Sequence, residues 1–108
     1  MSQQINSIEA KSDIDQIKQG VRKQFPEVVI EQLKVSLPAD DDGLWFFHLP
    51  WDPKDEIQIE SSDGECPFLI ENVRNDERRN GTTIEEVVAI ICRFLREAQK
   101  SGSIGGQA

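Results

Sequence analysis

Three side chains of this 108-residue chain are of types that carry out acid–base or covalent chemistry near neutral pH: His48, the only histidine, and the cysteines Cys66 and Cys92. A histidine base beside a cysteine nucleophile would form a catalytic pair. No spacing in the sequence places a partner beside His48. Cys66 lies among Glu60, Asp63 and Glu65, and nearby negative charges raise the pKa of a thiol, so an inert packing role is the stronger interpretation.

A run of three aspartates, in residues 40–43 (DDDG), supplies the oxygen ligands that a hard cation prefers. Aromatic residues follow this run, where a calcium-binding loop would need a further acid. The second cysteine, Cys92, is far from Cys66 and forms no metal-ligand motif with it. The sequence therefore predicts no metal ion and no other cofactor.

Aromatic residues near acids form the third candidate, a recognition surface. Tryptophan is enriched at the energetic centres of protein interfaces, where aromatic anchors combine with charged neighbours. The predicted partner-binding residues are Trp45, Phe47, Trp51, Asp41, Asp42, Asp52 and Asp55. The other interpretation is that residues 44–49 form a strand buried on both faces, with Trp51 closing one end of the core. Burial cannot be read from one sequence, so both interpretations stay open.

The charge distribution favours a basic partner. The chain has 20 acidic and 12 basic residues, a net charge of −8. Residues 40–65 contain nine acids and one lysine, so this segment carries the whole excess. Such a field attracts basic proteins and repels nucleic acids and anionic membranes. We therefore expect a basic protein partner, no nucleic acid and no membrane; the alternative is that the charge only keeps the protein in solution.

The start of the chain predicts a cytoplasmic protein. Residues 1–10 are polar and contain no secretion signal. No apolar run approaches the length that spans a membrane. Two cysteines without a secretion signal indicate reduced thiols.

The central element is a β-hairpin predicted over residues 56–71. Apolar and polar residues alternate before Asp63-Gly64, a dipeptide typical of hairpin turns. Pro67 has no N–H for a sheet ladder, which favours a four-residue loop (62–65) and a second strand at or near a sheet edge. The predicted facing pairs are Ile59 with Phe68 and Ile57 with Ile70.

The other elements follow from capping and periodicity. Ser12 caps a helix that Pro26 ends, and Thr83 caps a second helix with Glu86 reaching back. Strands are predicted at residues 27–37, with a bend, and at 44–49. The remaining segments, predicted as loops, are residues 38–43, 50–55 and 72–81.

These elements predict an α+β fold in the order α-β-β-β-β-α. Short connections favour a four-stranded antiparallel meander. Two amphipathic helices need one apolar sheet face, so we expect a two-layer sandwich with both helices on one face. The expected organisation is a flexible lead-in (1–11), a single domain (12–99) and a disordered tail (100–108).

The stretch IQIESSDGECPFLIE, followed by a charged loop and by GTTIEEVVAIICRFL, resembles a pattern of small uncharacterised bacterial proteins. The resemblance covers residues 57–95 and implies a bacterial cytosolic domain without an assigned activity. The predicted architecture is also similar to that of small acidic immunity proteins and, more loosely, to that of secretion chaperones. These similarities concern the fold and transfer no residue role.

The function that these observations favour is a small non-enzymatic interaction domain, immunity- or adaptor-like, which docks a basic partner through an acidic and aromatic patch. The alternative is a small ligand-binding domain or enzyme that uses the region of His48 and Cys66. A homodimer that pairs through the hairpin edge is compatible with both functions.

Overall fold

The computed structural model describes residues 12–33, 43–61 and 63–107, with side chains described as far as residue 99. The predicted lead-in, residues 1–11, lies outside this part of the chain, as do Asp41 and Asp42. The described residues form α1 (Asp13–Gln24), β1 (Val29–Gln32), β2 (Leu44–Leu49), β3 (Asp52–Glu60), β4 (Phe68–Asn72), β5 (Glu77–Gly81) and α2 (Ile84–Gln107).

The strands form one antiparallel sheet in the order β1-β2-β3-β4-β5. The α+β class, the antiparallel sheet and the two helices are confirmed, but the predicted strand count of four is wrong. The fifth strand, β5, has the sequence ERRNG and no apolar alternation. Its Glu77 accepts from Arg79 on the same strand and from Arg93 on α2, so ion pairs take the place of apolar packing at this edge.

The hairpin forms, but its register differs from the predicted one by two residues. Ile59 pairs with Ile70, and Ile57 pairs with Asn72. A two-residue shift keeps every side chain on its predicted face. The loop between the strands, residues 61–67, is longer than the predicted 62–65, and Ser61 Oγ donates to the Glu65 carbonyl at 2.6 Å across part of it.

The hairpin's second strand, β4, was predicted at or near a sheet edge, and it lies next to the edge strand β5. Two element boundaries differ from the predicted ones. Strand β3 begins at Asp52, inside the predicted loop 50–55, because Asp52 pairs with Leu49 directly after the turn. Helix α2 continues to Gln107, past the predicted start of the tail, since Gly and Ser weaken a helix without blocking it as Pro does.

One apolar face of the sheet forms the core together with both helices. Trp45, Ile59 and Ile70 lie side by side across three strands, and each belongs to a single buried cluster. The Trp45 ring meets Phe68 edge to face, with 6.2 Å between ring centroids. The helix residues in this cluster are Ile14, Ile17 and Val21 of α1 and Val87, Ile91, Cys92, Phe94 and Leu95 of α2.

Both predicted helix N-caps are present. Ser12 Oγ accepts from the Asp15 N–H at 3.4 Å, and Thr83 Oγ1 accepts from the Glu86 N–H at 3.1 Å. The Glu86 carboxylate reaches one residue further back than expected and accepts from Thr82 N and Oγ1. These hydrogen bonds lower the Glu86 pKa. Helix α1 ends at Gln24, two residues before Pro26, as predicted.

The first turn of α2 passes close to β5 at Gly81, and this contact is testable. A Cβ at Gly81 would lie 2.5 Å from Val87 Cγ2 and 3.3 Å from Val87 Cα. We expect Gly81→Ala to lower the free energy of unfolding by about 1–3 kcal/mol, the usual cost of overpacking. Asn80→Ala, at an exposed neighbouring position, is the control and should change it by less than about 0.5 kcal/mol. Urea unfolding of both variants measures the difference, and equal stabilities would contradict this contact.

Candidate docking site at the β2–β3 corner

The connection between β2 and β3 is a two-residue turn, Pro50-Trp51, since Leu49 pairs with Asp52. Proline restricts the backbone of such a turn. A side chain at the tip of a hairpin has no neighbouring strand to cover it, and 56% of Trp51 is exposed. Trp51 is therefore a large aromatic group held at a stiff corner and open to solvent.

A bulge next to this turn carries the acids of the corner. Phe47 pairs with Ile57, and Leu49 pairs with Asp52. Between these pairs β2 has one residue, His48, and β3 has four, residues 53–56. A bulge turns side chains out of the regular alternation of a strand. It contains Asp55 and begins next to Asp52, so both carboxylates lie at the corner.

The two carboxylates interact with each other and with Arg74. Burial raises the pKa of Asp55, and hydrogen bonding to Asp52 and the negative charge of Asp52 raise it further. Arg74 acts in the opposite direction: its Nε lies 3.5 Å from Asp55 Oδ2. The bulge also contains Lys54, so the two carboxylates of the corner are matched in number by two basic residues. Because Asp52 still raises the Asp55 pKa, a further cation close to both carboxylates would relieve the repulsion between them.

A pocket of about 340 Å³ opens beside Trp51. The end of α1 forms one wall, because Pro26 turns the chain away from the helix there. Leu49 and Trp51 form the wall from the sheet, and Gln99 of α2 completes it. The lining residues are Gln24, Phe25, Pro26, Glu27, Leu49, Trp51 and Gln99. Four of these residues are apolar and three are polar, so the pocket offers both kinds of contact to a ligand or to an anchoring side chain.

The structure brings together only part of the predicted recognition set. Trp51, Asp52 and Asp55 lie at one corner, as described above. Trp45 and Phe47 are 5% and 0% exposed and face the helices, so they belong to the core and are not available to a partner. The sequence did not determine which of the two aromatic sets of β2 the helices would cover. In the structure they cover the set that shares a sheet face with the hairpin isoleucines.

His48 and Cys66 do not form one site. His48 lies on the sheet face opposite the core, next to the turn at Leu49, and its Nδ1 lies 2.9 Å from the Leu49 carbonyl. Cys66 lies in the loop after β3, whose first residue, Ser61, donates to the Gly43 carbonyl at the other end of β2. The two side chains are therefore at opposite ends of β2, and they cannot act together as base and nucleophile.

The Cys66 thiol is held in its protonated form. Burial raises its pKa to about 11, with further contributions from Asp13, Glu65 and Glu85. Asp13 also accepts from the Cys66 N–H at 2.9 Å. The predicted direction of the pKa shift is thus confirmed, although Asp13, which is 53 residues away in sequence, was not foreseen as a cause.

Among the residues described, no three His, Cys, Asp or Glu side chains cluster so that they could hold a metal ion. Within the same ranges, no helix is both long and apolar enough to cross a bilayer.

Comparison of the chain with protein-family models, with characterised proteins and with solved structures finds no match. The resemblance to small bacterial proteins stays a prediction, and function rests on the residues and their geometry. The residues that sequence reasoning missed are Phe25, Leu49 and Arg74. Pro26 is the one sequence signal near them, since it marks where the chain must leave α1.

The pKa of Asp55 tests the corner's electrostatics. Asp52→Asn removes a charge that raises this pKa, so we expect a lower Asp55 pKa in that variant; Arg74→Gln should raise it. A raised aspartate pKa means that the folded state binds the proton more tightly than the unfolded chain, so stability falls as pH rises from 3.8 through the folded pKa. The stability gain of Asp52→Asn over the wild type should therefore grow with pH in this window. Carboxyl ¹³C NMR titration measures the pKa, and shifts of the same sign in both variants would contradict the arrangement.

Alkylation of Cys66 tests the inert-thiol interpretation. With a pKa of about 11 against an ordinary value of 9.0, the reaction with iodoacetamide should accelerate about tenfold per pH unit up to about pH 10. Asp13→Asn should lower the pKa and speed the reaction at a given pH. Cys92, which is fully buried, serves as the internal control when the modified residue is identified by mass spectrometry. A rate that levels off below about pH 9 would restore Cys66 as a candidate nucleophile.

Proposed function

We propose that this protein is a small interaction domain that docks a basic protein partner at the corner formed by Trp51, Asp52 and Asp55. The observation that carries the proposal is the 56% exposed indole of Trp51 beside an acid pair and a pocket. Tryptophan has few rotatable bonds and a large contact area, so it loses little entropy on binding and buries much apolar surface.

The corner offers a basic side chain three kinds of contact. The positive charge of that side chain would offset part of the repulsion between the carboxylates, which raises the Asp55 pKa. Its alkyl stem, or a neighbouring apolar residue, would enter the pocket against Phe25 and Leu49. A cation above the Trp51 ring would gain a further cation–π interaction. Arginine and lysine combine an apolar stem with a charged end, and they fit this corner better than acidic or purely apolar residues do.

The net charge of −8 supports the same class of partner. An acidic domain attracts a basic protein over several ångströms and speeds the encounter, more so at low salt. An immunity-like or adaptor-like role fits this behaviour. The free cysteines Cys66 and Cys92 support the expectation of a reducing, cytoplasmic setting.

The pocket supports a second candidate, a small-molecule site. Its volume is within the usual range for ligand pockets. Such a site would lie at the Trp51 corner, because His48 and Cys66 are too far apart to form one. The predicted homodimer through the hairpin edge loses its surface, since β5 occupies that edge.

Affinity capture with matched variants tests the docking function. The wild type, attached to a resin, should retain a basic protein from a cell lysate at low salt and release it at high salt. Trp51→Ser and Asp52→Lys should each reduce retention about tenfold or more, as loss of an interface anchor does. Asp15→Lys, an equal charge change at an exposed position of α1, is the control and should retain the partner. Equal loss in all three variants would indicate unspecific charge attraction and reject the corner.

A further inference from the structure

The face of the sheet opposite the core, here called the open face, carries an apolar group of its own. Leu44 and Phe46 of β2 are half-buried and do not belong to the core cluster. Leu33 donates to the Leu44 carbonyl at 2.9 Å and lies beside it. Leu44 of β2 pairs with Glu60 of β3, and Glu60 pairs with Leu69 of β4, so Glu60 lies between the two leucines in the sheet. Leu33 is 41% and Leu69 is 36% exposed, so the open face presents large apolar groups to solvent.

Carboxylates stand on both sides of the Leu44–Phe46 pair. Glu31 of β1 is directly opposite Phe46 on one side. Glu60 of β3 is directly opposite Leu44 on the other side. None of the basic groups that the structure describes forms an ion pair with these two glutamates.

The one described ion pair on the open face joins Glu71 to Arg78, with 3.5 Å between Oε2 and Nε. This pair lies toward the β5 edge, so its positive charge does not balance the acids around β2. The open face is therefore apolar at Leu44 and Phe46 and negatively charged on both flanks, and the buried His48 follows Phe46 on this side of β2.

We infer that the open face is a docking surface for a basic amphipathic helix of a partner protein. The apolar stripe of the helix would lie over Leu44 and Phe46, and its lysine or arginine residues would reach Glu31 on one side and Glu60 on the other. This arrangement is complementary in both polarity and charge. The surface is distinct from the Trp51 corner, and the inference does not depend on that corner.

The dimensions fit a short helix. Strand β2 has six residues, so it is about 20 Å long at roughly 3.3 Å per residue. A helix of about 14 residues has the same length at about 1.5 Å per residue. Helix on sheet is also how the opposite face is covered, and a helix there would give the sheet a layer on each side.

Charge selects among the occupants of such a face. A second copy of this chain would place its own Glu31 and Glu60 against the same two residues, and like charges across an interface oppose association. An anionic membrane or a nucleic acid would meet the same repulsion. A basic helix is the occupant that satisfies both the apolar and the acidic parts.

Calorimetric titration with synthetic peptides tests the inference. The probe is a 14-residue Leu/Lys amphipathic helix of about four turns; a Gln/Lys peptide lacks its apolar stripe, and a Leu/Glu peptide reverses its charge. At low salt the full chain should bind the probe at least about tenfold more tightly than either control peptide, because each control loses one kind of contact.

Two double variants locate the binding. Leu33→Ser with Leu69→Ser leaves the charge unchanged and should weaken probe binding about tenfold through lost apolar burial. Glu31→Lys with Glu60→Lys should weaken it about tenfold or more. The control is Asp15→Lys with Glu97→Lys on the helices. It changes the net charge by the same amount and should lower the affinity for the probe by less than about threefold. All substituted residues except Glu97, which is half-buried, are exposed, and circular dichroism checks that each variant is folded.

Three outcomes would overturn the inference. The first is that the wild type does not distinguish the probe from the Gln/Lys peptide. The second is an equal loss of affinity in the open-face charge-reversal variant and in its control on the helices, while Leu33→Ser with Leu69→Ser binds like the wild type. That result would indicate unspecific attraction. The third is a dimer of the protein alone, seen by analytical ultracentrifugation and abolished by the two serine substitutions, which would assign the open face to a second copy.

Discussion

Burial of one sheet face beneath two helices is the constraint on which the rest of this domain depends. Each helix has one apolar stripe, and both stripes belong to the cluster around Ile59 and Ile70. A side chain on a strand must face either this cluster or the opposite side. The choice of face therefore places Trp45 inside, leaves Phe46 outside, and assigns Glu60 of β3 to the same side as Phe46.

The parts of the fold that sequence predicts are those with a local cause. Both helices have an oxygen-bearing N-cap and an apolar stripe, and α1 meets a proline at its end, so periodicity and capping locate them. Strand β5 has no local sequence signal of this kind. Its five residues are mostly polar and exposed, and it is held by backbone pairing with β4 and by an ion pair from α2. The register of the hairpin depends on hydrogen bonds inside its loop, which residue types alone do not determine.

The site shows the same division between local and long-range causes. Clustering of Trp51, Asp52 and Asp55 follows from their nearness in sequence and from the turn that Pro50 allows. The partners that give the corner its character come from elsewhere: Arg74 from the β4–β5 connection, Phe25 from the end of α1. The burial of Trp45 and Phe47 was undetermined because β2 is apolar in both phases, and only pairing with the alternating strand β3 selects one set.

The two tryptophans differ in a way that makes the protein its own optical reporter. Trp45 is enclosed by the core and meets Phe68 at an edge, whereas Trp51 is surrounded largely by water at the tip of a turn. Indole fluorescence shifts to longer wavelength as its surroundings become more polar, and a dissolved quencher reaches only an exposed ring. The emission spectrum therefore has a short-wavelength component that follows the integrity of the core and a quenchable long-wavelength component that follows events at the corner. Loss of folding and occupation of the corner thus have separate signatures in a single unlabelled sample.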